Sequence, residues 1–259
     1  KILNARVKFY DALRAQSDFQ ESSSSTSDFY DEQVDKWVRF HPKTLGDFTC
    51  RPTVFEMCEQ HLAGATVLDV GCGEGYVSRN LKAMGAQKIV GVDISEKMAR
   101  AAKLHWAKSS DEYYIVGDAR TLKKNLVDQS AATNMMLGAQ FDIGSFDLAV
   151  AVCLFNNMTI SEMNKSFEQV YSVLKPGGHF VFSVPHPSFL SHHDTEIVSY
   201  GKEIKRGGYF SLRDKQFDGR MKMIDGDELM CRVYFKAFED YINAIKSHGF
   251  DLIAVEETR

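Results

Sequence analysis

Apolar and polar residues form blocks from Thr66 onward, and the blocks repeat in the order strand, then helix. "TVLDV" is a short apolar run that ends in a glycine-rich turn, which is typical of a buried parallel strand. "YVSRNLKAMG" follows and places Val77, Leu81 and Met84 on one face of a helix that ends at Gly85. "KIVGVD", "SEKMARAAKLHW" and "YYIVGD" are then predicted to be strand, helix and strand.

The second half of the chain continues the same alternation. A polar stretch over 119–145, predicted to be irregular, precedes a fourth strand, "FDLAVAV". In "TISEMNKSFEQVYSVL", Thr159 and Glu162 form the capping box of a helix. "KPGG" ends this helix and "HFVFSV" is a fifth strand, while "KAFEDYINAIKSHG" and "FDLIAVEE" supply a final helix and strand. The buried stripe of the capped helix is predicted to be Met163, Phe167, Val170, Tyr171 and Leu174.

This alternation predicts an α/β fold with a doubly wound, Rossmann-like and mostly parallel sheet whose crossovers are right-handed. In such a sheet, ligands bind beyond the carboxyl ends of the strands, where the strand order reverses. Four parts are predicted: an N-terminal helical extension (1–60), a core (61–185), a lid insertion after the fifth strand (186–235), and a closing helix and strand of the core (236–259).

The N-terminal extension is predicted to hold three helices. Apolar residues recur at helical spacing within 1–20, after which "ESSSSTSD" (21–28) is predicted to be a flexible connector. Tyr30 and Trp37 share one face of a second helix, and "VFEMCEQH" forms a third.

Composition and charge narrow the class of protein. At 259 residues, with 44% hydrophobic and 25% charged residues, the chain can bury a sizeable core. Its net charge of −4 disfavours a nucleic-acid partner, and no apolar run or signal peptide indicates a membrane partner. The chain opens on Lys1 rather than Met, so we expect a trimmed chain or a piece of a longer one, and N-terminal targeting stays open. The cysteines contain no C-x-x-C pair, which favours a reducing, cytoplasmic location: Cys50, Cys58, Cys72, Cys153 and Cys231.

"VLDVGCGEGYVS" is the most informative segment of the chain. Gly71, Gly73 and Gly75 lie between the first strand and its helix, where a ligand can approach bare backbone and face the helix N-terminus. Asp93 closes the second strand 22 positions after Gly71, where it can accept hydrogen bonds from ribose hydroxyls. The dinucleotide pattern G-x-G-x-x-G needs glycine where Tyr76 stands, so a pyrophosphate is disfavoured. Taken singly, each feature also has a purely structural explanation. Glycines in such a turn allow close packing of helix against strand, and an aspartate after a strand can cap the next helix.

Five segments, in their order and spacing, resemble the class I S-adenosylmethionine-dependent methyltransferases, in particular the type 11 small-molecule group. They are "VLDVGCGEGY", "GVDIS", "VGDA", "FDLAVAV" and "LKPGGHFVFSV", and the resemblance covers about 67–184. It implies S-adenosyl-L-methionine as the cofactor and S-adenosyl-L-homocysteine as the product. The resemblance implies that Asp69 and the backbone of Gly71, Cys72, Gly73 and Gly75 hold the amino-acid end of the cofactor, and that Asp93 binds the ribose. It implies that Ile94, Asp118 and Ala119 contact the adenine. Val152 and Cys153 are then expected to line the floor of the cofactor site, and Tyr30 to be the aromatic residue that closes over it.

Departures from the family pattern narrow the acceptor. The fourth strand ends in "AVCLFNN" rather than the Asn/Asp-Pro-Pro-Tyr tetrad of enzymes that methylate exocyclic or amide nitrogens, and Cys153 lacks the preceding proline of cytosine-C5 enzymes. We therefore expect a methyltransferase that acts on a small molecule, at oxygen. The family's last antiparallel strand is missing, so an alternative is a domain of a biosynthetic megaenzyme that acts on carrier-tethered intermediates. Further alternatives are an RNA or protein methyltransferase and a non-catalytic scaffold that binds the cofactor; the oligomeric state stays open.

A group of histidines follows the fifth strand. "SVPHP" resembles a turn seen in part of the type 11 group, and its two prolines restrict the backbone around His186. An alcohol or phenol acceptor must lose a proton, so His186 is a candidate catalytic base or substrate-orienting group, or else a histidine that bonds only to a loop carbonyl. His192 and His193 are adjacent and point oppositely in an extended loop, so with Asp194 they are predicted to be solvated, and no metal site is expected. Six lid residues suit a carboxylate or phosphate on an aromatic or acyl substrate, or else an exposed flap with core-facing aromatics: Tyr200, Tyr209, Phe210, Arg213, Arg220 and Arg232.

Overall fold

Five parallel strands form the central sheet of the computed structural model, which describes residues 25–107, 110–134, 144–186 and 213–258. The strands are β1 (Thr66–Val70), β2 (Lys88–Asp93), β3 (Glu112–Val116), β4 (Phe146–Val152) and β5 (Leu174–Ser183). Their spatial order is β3-β2-β1-β4-β5, so the order reverses between β1 and β4. Nearly continuous apolar runs form these strands because helices cover both faces of the sheet.

Helices precede the sheet, connect its strands and follow it. None of those that the structure describes combines the length and the apolar character needed to cross a membrane. They are α1 (Thr26–Asp31), α2 (Val34–Trp37), α3 (Cys50–Glu59), α4 (Tyr76–Ala83), α5 (Glu96–Trp106), α6 (Leu122–Asn134), α7 (Ile160–Val173) and α8 (Phe238–Ser247). Three short 3-10 turns (Leu45–Asp47, Ala119–Thr121 and Phe155–Asn157) and an antiparallel hairpin complete the description, the hairpin being β6 (Gln216–Lys222) and β7 (Glu228–Tyr234).

Successive residues of the strands pack on opposite faces of the sheet. Val67 packs in a cluster with Leu81 of α4, whereas the next residue, Leu68, packs in a cluster with Phe167 of α7. All four side chains are fully buried. Burial of a side chain of this size contributes about 1.5–3 kcal/mol to folding. Helices therefore cover both faces of a parallel sheet, and the predicted doubly wound α/β fold is confirmed.

The helix with the predicted capping box is α7. The Glu162 amide donates to the Thr159 hydroxyl and the Thr159 amide donates to the Glu162 carboxylate, as predicted. Within the predicted stripe, Tyr171 is wrong, because its ring is half exposed and lies edge-on against Phe250. Leu174 is buried but already belongs to β5, so "KPGG" lies within the strand rather than before it. The buried residues of this helix are Met163, Ser166, Phe167, Val170 and Val173.

The prediction of an irregular stretch over 119–145 is wrong for most of its described part. A 3-10 turn leads into α6, whose Leu122 and Leu126 are buried in the same core as α7. The Asp118 carboxylate caps this turn by accepting a hydrogen bond from the Arg120 amide at 2.8 Å. Two leucines four positions apart give a weak helical signal, because most of the remaining helix is polar.

The N-terminal extension differs from its prediction in two places. Helix α1 begins at Thr26, inside the predicted connector, because the Ser25 hydroxyl caps it by accepting a hydrogen bond from the Asp28 amide at 3.1 Å. The predicted second helix is split, since two turn residues separate α1 from α2. The third helix is confirmed as α3, and the helix predicted over 1–20 lies outside the described residues.

The β6–β7 hairpin contacts the N-terminal segment. The Met230 amide donates to Gln33 Oε1 at 3.0 Å, and the Ile224 amide donates to the Lys43 carbonyl at 3.0 Å. The residue pattern does not predict this hairpin, which lies within the segment predicted to be a lid. The lid assignment itself stays a prediction, because 187–212 lie outside the described residues.

The closing strand predicted over "FDLIAVEE" is wrong. In the described part of the chain, 250–258 forms no strand, and the sheet ends at β5. Leu252, Ile253 and Val255, which a core strand would bury, are 48%, 80% and 55% exposed. A strand requires a hydrogen-bonded neighbour, and this segment pairs with none of the described strands. The preceding helix α8 is confirmed.

Phe167 provides a test of the core packing. Its ring is fully buried and lies 4.7, 5.5 and 5.4 Å, between ring centroids, from Phe155, Phe180 and Phe182. Phe167→Ala should lower the free energy of unfolding by about 3–5 kcal/mol, because it leaves a cavity in the core. Tyr171→Ala, on the exposed side of the same helix, should lower it by less than about 1 kcal/mol. Urea unfolding followed by circular dichroism measures both values, and equal losses would contradict this assignment of the buried face.

Candidate functional site

Three chain segments meet at the carboxyl edge of the sheet. Asp69 lies near the end of β1, Asp93 is the last residue of β2, and Cys153 directly follows β4. These strands are parallel neighbours, so their carboxyl ends lie at the same edge. This edge also contains the reversal of strand order between β1 and β4, where sheets of this kind bind ligands.

The turn between β1 and α4 presents bare backbone at this edge. Gly71, Gly73 and Gly75 have φ angles of 73°, 54° and 87°, in the region that favours glycine. A Cβ atom on Gly71 would lie 2.7 Å from Leu154, so the close packing of the turn excludes a larger residue. A Cβ atom on Gly73 would meet nothing within 4 Å, so open space lies beside this residue.

Asp93 ties the glycine turn to the end of β2. Its Oδ2 accepts a hydrogen bond from the Gly73 amide at 2.8 Å, and its Oδ1 accepts one from the Ser95 amide at 2.9 Å. A carboxylate oxygen can accept more than one hydrogen bond, so the group can still receive ligand hydroxyls. Burial raises the pKa of Asp93 to about 6, although the two amide hydrogen bonds oppose the rise.

Asp69 is the second buried carboxylate of the site. The residue is 1% exposed, and its Oδ2 accepts a hydrogen bond from the Ser78 hydroxyl of α4 at 2.6 Å. Burial raises the pKa of Asp69 to about 7, more than the Ser78 hydrogen bond lowers it. A cationic ligand group beside Asp69 would favour its charged form.

The predicted floor lies at the end of β4. Val152 ends the strand, and Cys153 after it has a φ of 54°, which is uncommon for a residue other than glycine. The Cys153 amide donates to the Ser183 carbonyl at 2.9 Å, and Asn157 Nδ2 donates to the Cys153 carbonyl at 2.8 Å. These two bonds fix the unusual backbone of Cys153.

The residues predicted to meet the adenine lie around the end of β2 and the turn after β3. The Ile94 carbonyl accepts a hydrogen bond from the Ser27 hydroxyl at 3.0 Å, and Ala119 is buried. The Asp118 carboxylate accepts hydrogen bonds from Arg120 Nε at 2.8 and 2.9 Å. This carboxylate therefore already has a cationic partner. Its predicted contact with adenine stays a prediction.

The thiol of Cys72 does not line the open space. It packs in a small core cluster with Ala102 and Tyr114. Burial raises the pKa of Cys72 well above its ordinary value, so the thiol stays protonated. The predicted contact of Cys72 with the cofactor can therefore come only from its backbone.

Tyr30 reaches the site from α1. Its hydroxyl donates to Asn157 Oδ1 at 2.6 Å, beside the turn that follows β4, and its ring lies edge-on at 6.0 Å from the Trp37 ring. On the same helix, the Asp31 carboxylate accepts a hydrogen bond from the Lys97 amide at 3.1 Å, at the start of α5. Helix α1 therefore covers the carboxyl edge, which is compatible with the predicted closing aromatic.

Local sequence patterns do not reveal the buried ion network beside the glycine turn. The Arg39 guanidinium, 3% exposed, donates to Asp47 at 3.1 Å and to Glu74 at 2.9 Å. Arg79 donates to the other Glu74 oxygen at 3.0 Å. Both guanidinium groups lie over the Tyr76 ring, 4.2 and 4.5 Å from its centroid. The network joins the N-terminal segment to the turn, and the acidic residue within "GCGEG" is its single sequence signal.

Arg51 of α3 is a second residue that the sequence does not single out. One terminal nitrogen donates to Thr44 Oγ1 at 3.2 Å and lies 3.1 Å from Asp47 Oδ1. Its Nε is buried and has no hydrogen-bond partner in the part of the chain that the structure describes. Such an unsatisfied nitrogen destabilises a protein by about 1–3 kcal/mol, and a ligand carboxylate would satisfy it. The positive charge of Arg51 also opposes the rise in the pKa of Asp69, so the two side chains are electrostatically coupled.

His186 has a carboxylate partner from the C-terminal segment. Its Nε2 lies 2.9 Å from Glu257 Oε1, and the two side chains are 34% and 52% exposed. The residue follows β5, which lies two strands from β1, or about 10 Å across the sheet. Its role as a base or an orienting group stays a prediction.

The predicted absence of a metal site cannot be tested at the histidine loop. Within the described ranges, no three His, Cys, Asp or Glu side chains converge as metal ligands would. His192, His193 and Asp194 lie outside these ranges, as do three aromatic residues proposed for the lid, Tyr200, Tyr209 and Phe210.

Two arginines proposed to recognise an anionic substrate have protein partners, and their contact with a substrate stays a prediction. Arg213 binds the Asp240 carboxylate and lies 3.2 Å from Glu239. Arg232 is buried, with its guanidinium 4.5 Å from the centroid of the Phe29 ring. Both contacts join the hairpin region to neighbouring elements, so these arginines stabilise the fold.

Comparison with known proteins shows which protein family the chain resembles. Residues 67–178 match a family model described as a methyltransferase domain. An uncharacterised protein of Methanocaldococcus jannaschii is 26% identical over 226 residues, which cover 86% of this chain and 76% of that protein. A ubiquinone biosynthesis O-methyltransferase of Bradyrhizobium diazoefficiens is 32% identical over 143 residues, which cover 50% of this chain and 54% of that protein. The chain thus spans about half the length of the O-methyltransferases that it matches.

A solved structure shows the same fold. Magnesium protoporphyrin IX methyltransferase of Synechocystis PCC 6803 with bound SAH superposes with a TM-score of 0.55 at 17% identity, over 88% of this chain and 89% of that one. The fold is that of the class I S-adenosylmethionine-dependent methyltransferases, and 67–178 within it match the methyltransferase domain model. The resemblance drawn from the five sequence segments is confirmed by this match and fold, and solved structures that share the fold hold S-adenosyl-L-methionine or SAH, which supports the expected cofactor.

Gly73 provides a test of the open space. Gly73→Ala should weaken S-adenosylmethionine binding at least about tenfold, because the new methyl group projects into space that no protein atom fills. Gly64→Ala is a matched control: Gly64 has a φ of 74° and equally empty surroundings, but it precedes β1 at the opposite edge. Both changes should cost about 1–2 kcal/mol of stability. Calorimetric titration measures the affinities, and equal losses in the two variants would place the cofactor elsewhere.

The two buried carboxylates should make cofactor binding depend on pH. The pKa values of Asp69, about 7, and Asp93, about 6, lie above the ordinary value of 3.8. The cationic cofactor favours ionised carboxylates, so its affinity should rise between about pH 5.5 and 7.5, with proton release on binding. The free protein should lose stability as pH rises from about 4 to 7, because the folded state holds these protons longer than the unfolded chain. Calorimetry in buffers of different ionisation enthalpy tests this, and a flat affinity profile would refute it.

Proposed function

We propose that this domain transfers the methyl group of S-adenosylmethionine to a hydroxyl oxygen of a small molecule. The observation that carries the proposal is the open space at the Gly73 backbone, beside the Asp93 carboxylate. It lies at the sheet edge where the strand order reverses between β1 and β4. Two facts support oxygen as the acceptor: the similarity to ubiquinone biosynthesis O-methyltransferases over half of the chain, and the lack of the Asn/Asp-Pro-Pro-Tyr tetrad after β4. The net charge of −4 disfavours a nucleic-acid acceptor.

The polar groups of the site suit those of the cofactor. We assign the ribose hydroxyls to Asp93, whose oxygens keep acceptor capacity beyond their amide bonds. The cofactor carboxylate is assigned to Arg51, whose buried Nε lacks a partner among the described residues. The cofactor ammonium is assigned to Asp69, and Ile94 and Ala119 supply apolar contacts for the adenine. The charged groups of the amino-acid end of the cofactor thus each meet an opposite protein charge.

Positioning is the main task of the protein in this reaction. S-adenosylmethionine supplies a methyl group on a positively charged sulfur and leaves as the neutral thioether S-adenosylhomocysteine. The acceptor oxygen must lie in line with the methyl carbon and the sulfur, and holding this line supplies much of the rate enhancement. Val152 and the rigid backbone of Cys153 are proposed as the surface that fixes the reacting end of the cofactor.

A hydroxyl acceptor must also lose its proton as the carbon–oxygen bond forms. We assign this proton to the His186 imidazole, because the residue follows β5 at the ligand edge of the sheet. Glu257, 2.9 Å from its Nε2, would orient the ring and stabilise its protonated form. The pair would thus act as a carboxylate-supported base.

The cover over the site is proposed to exclude water during transfer. Helix α1 lies over the carboxyl edge through the bond from Tyr30 to Asn157, and the hairpin is fastened to the N-terminal segment by the bond from Met230 to Gln33. A closed, water-poor site strengthens the electrostatic contacts to the cofactor and protects the reacting centre.

His186→Gln tests the proposed base. It should lower kcat with a hydroxyl acceptor by about 10²–10⁴-fold, because general base catalysis is lost, and leave the Kd for S-adenosylmethionine within about twofold. His248→Gln is the control, since His248 is also partly buried and hydrogen-bonded, to Asn164 at 3.2 Å, but lies in the α7–α8 layer. Full turnover of His186→Gln with normal cofactor affinity would remove the residue from catalysis.

A screen of acceptors tests the reaction itself. Phenols, aliphatic alcohols, amines and carrier-tethered acyl groups are incubated with S-adenosylmethionine, and products are identified by the mass of one added methyl group. Methylated phenols or alcohols would support the proposal, and methylated amines alone would replace oxygen by nitrogen. Tight cofactor binding without turnover on any class would favour the non-catalytic scaffold.

A further inference from the structure

Ser78 is a buried hydroxyl group directly behind the cofactor site. It lies in the first turn of α4, and its Oγ donates a hydrogen bond to Asp69 Oδ2 at 2.6 Å. The two residues are 0% and 1% exposed. A serine inside a helix commonly donates to a carbonyl of its own helix, as Ser166 of α7 does to Glu162 at 3.0 Å. Ser78 instead binds a carboxylate on the preceding strand.

The surroundings of Asp69 make this hydrogen bond important. Val67 packs on the α4 side of the sheet, and Asp69, two residues further along β1, faces the same side. Its neighbours on the two adjacent strands are Gly91 and Val150, which carry no polar side chain. Ser78 therefore supplies the side-chain hydrogen bond that fixes this buried carboxylate, and the N-terminus of α4 favours its charged form.

Other ionisable groups around Asp69 do not replace the Ser78 hydroxyl. Burial raises the pKa of Asp69 most, and the hydrogen bond from Ser78 is the largest effect that lowers it. The charge of Asp93 adds a smaller rise, and the charge of Arg51 opposes the rise weakly. Burial also raises the pKa values of three further neighbours, which therefore stay neutral near pH 7: Cys58, Cys72 and Tyr114.

We propose that Ser78 is a positioning residue of the cofactor site, which holds the Asp69 carboxylate in place and ionised for the ammonium group at the amino-acid end of the cofactor. The inference rests on the proposed assignment of Asp69 to that ammonium. Ser78 has no exposed surface and its hydroxyl is already bonded, so it acts through Asp69 rather than by touching the cofactor. A protonated Asp69 would be neutral and would lose its attraction for the ammonium.

Ser78→Ala tests this role through its dependence on pH. Alanine suits a helix and removes only the hydroxyl, so the pKa of Asp69, about 7 in the wild type, should rise by about one unit. Affinity for S-adenosylhomocysteine should then fall about tenfold at about pH 6 but less than about twofold at about pH 8.5, where Asp69 is mostly ionised in both proteins. Calorimetric titration measures both values, and the titration of Asp93, common to the two proteins, cancels in their ratio.

Three controls separate the charge of Asp69 from the packing around it. Ser166→Ala removes an equally buried hydroxyl from α7, on the opposite face of the sheet, so it should lower stability and leave the pH profile unchanged. 5′-Methylthioadenosine has the adenosyl thioether of the product but no amino-acid end, so Ser78→Ala should leave its affinity unchanged at every pH. In an Asp69→Asn background, Ser78→Ala should cause no further loss of S-adenosylhomocysteine affinity.

The pKa of Asp69 in the free protein gives a readout that needs no ligand. Carbon-13 NMR follows the Asp69 carboxyl, identified by its absence from Asp69→Asn, and an equal pKa in the wild type and in Ser78→Ala would overturn the proposal. A loss of S-adenosylhomocysteine affinity that is the same at every pH, or that 5′-methylthioadenosine shares, would also overturn it. If the pKa rises but the wild type binds no S-adenosylhomocysteine, the proposed cofactor site is wrong and the positioning role falls with it. Ser78→Cys keeps a weaker donor of similar size, so it should shift the same pKa less, and it replaces Ser78→Ala if that variant does not fold.

Discussion

The hydrogen bond from the Gly73 amide to the Asp93 carboxylate joins the two segments on which the rest of the site depends. At 2.8 Å it fixes the bare backbone of the first crossover against the end of β2. The other oxygen accepts from the Ser95 amide, so the same carboxylate also sets the start of α5. A group held by two amides can bind a ligand without moving, which reduces the ordering that binding requires. The same amides offset part of the burial that raises the pKa of Asp93.

Several charged side chains are buried around this turn, and their pairing with opposite charges makes that burial stable. Arg39 binds carboxylates from two segments, Asp47 in the N-terminal region and Glu74 in the glycine turn. Removal of one partner from such a pair leaves an uncompensated buried charge, which is strongly destabilising. The segment that contains Arg39 and Asp47 is therefore coupled to the glycine turn, because loss of one ion pair destabilises both. Arg51 is also paired with Asp47, but its Nε has no hydrogen-bond partner among the described residues.

The features that the sequence predicted correctly are those with a local signal. The strand β1 is a uniform apolar run, and α7 has its capping box at Thr159, so periodicity and end signals suffice. Pairing across the sheet is not local: "FDLIAVEE" has the composition of a strand, yet it is not hydrogen-bonded to any described neighbour. The contacts of Arg39 with Glu74 and of Tyr30 with Asn157 join residues 35 and 127 positions apart, and no local pattern contains them. Knowledge of the fold is needed before such residues can be brought together.

The cover and the sheet beneath it differ in how they are held, and this difference determines which part can open. Helix α1 reaches the site through hydrogen bonds from Ser27 to Ile94, from Tyr30 to Asn157, and from both Ser95 and Lys97 to Asp31. Each contributes about 0.5–1.5 kcal/mol, so lifting the helix costs a few kcal/mol. States of that energy are populated at the per cent level or below. Below it, the Asp93 carboxylate is fixed by two backbone amides and the Asp69 carboxylate by the Ser78 hydroxyl, so a ligand can enter without disturbing these groups.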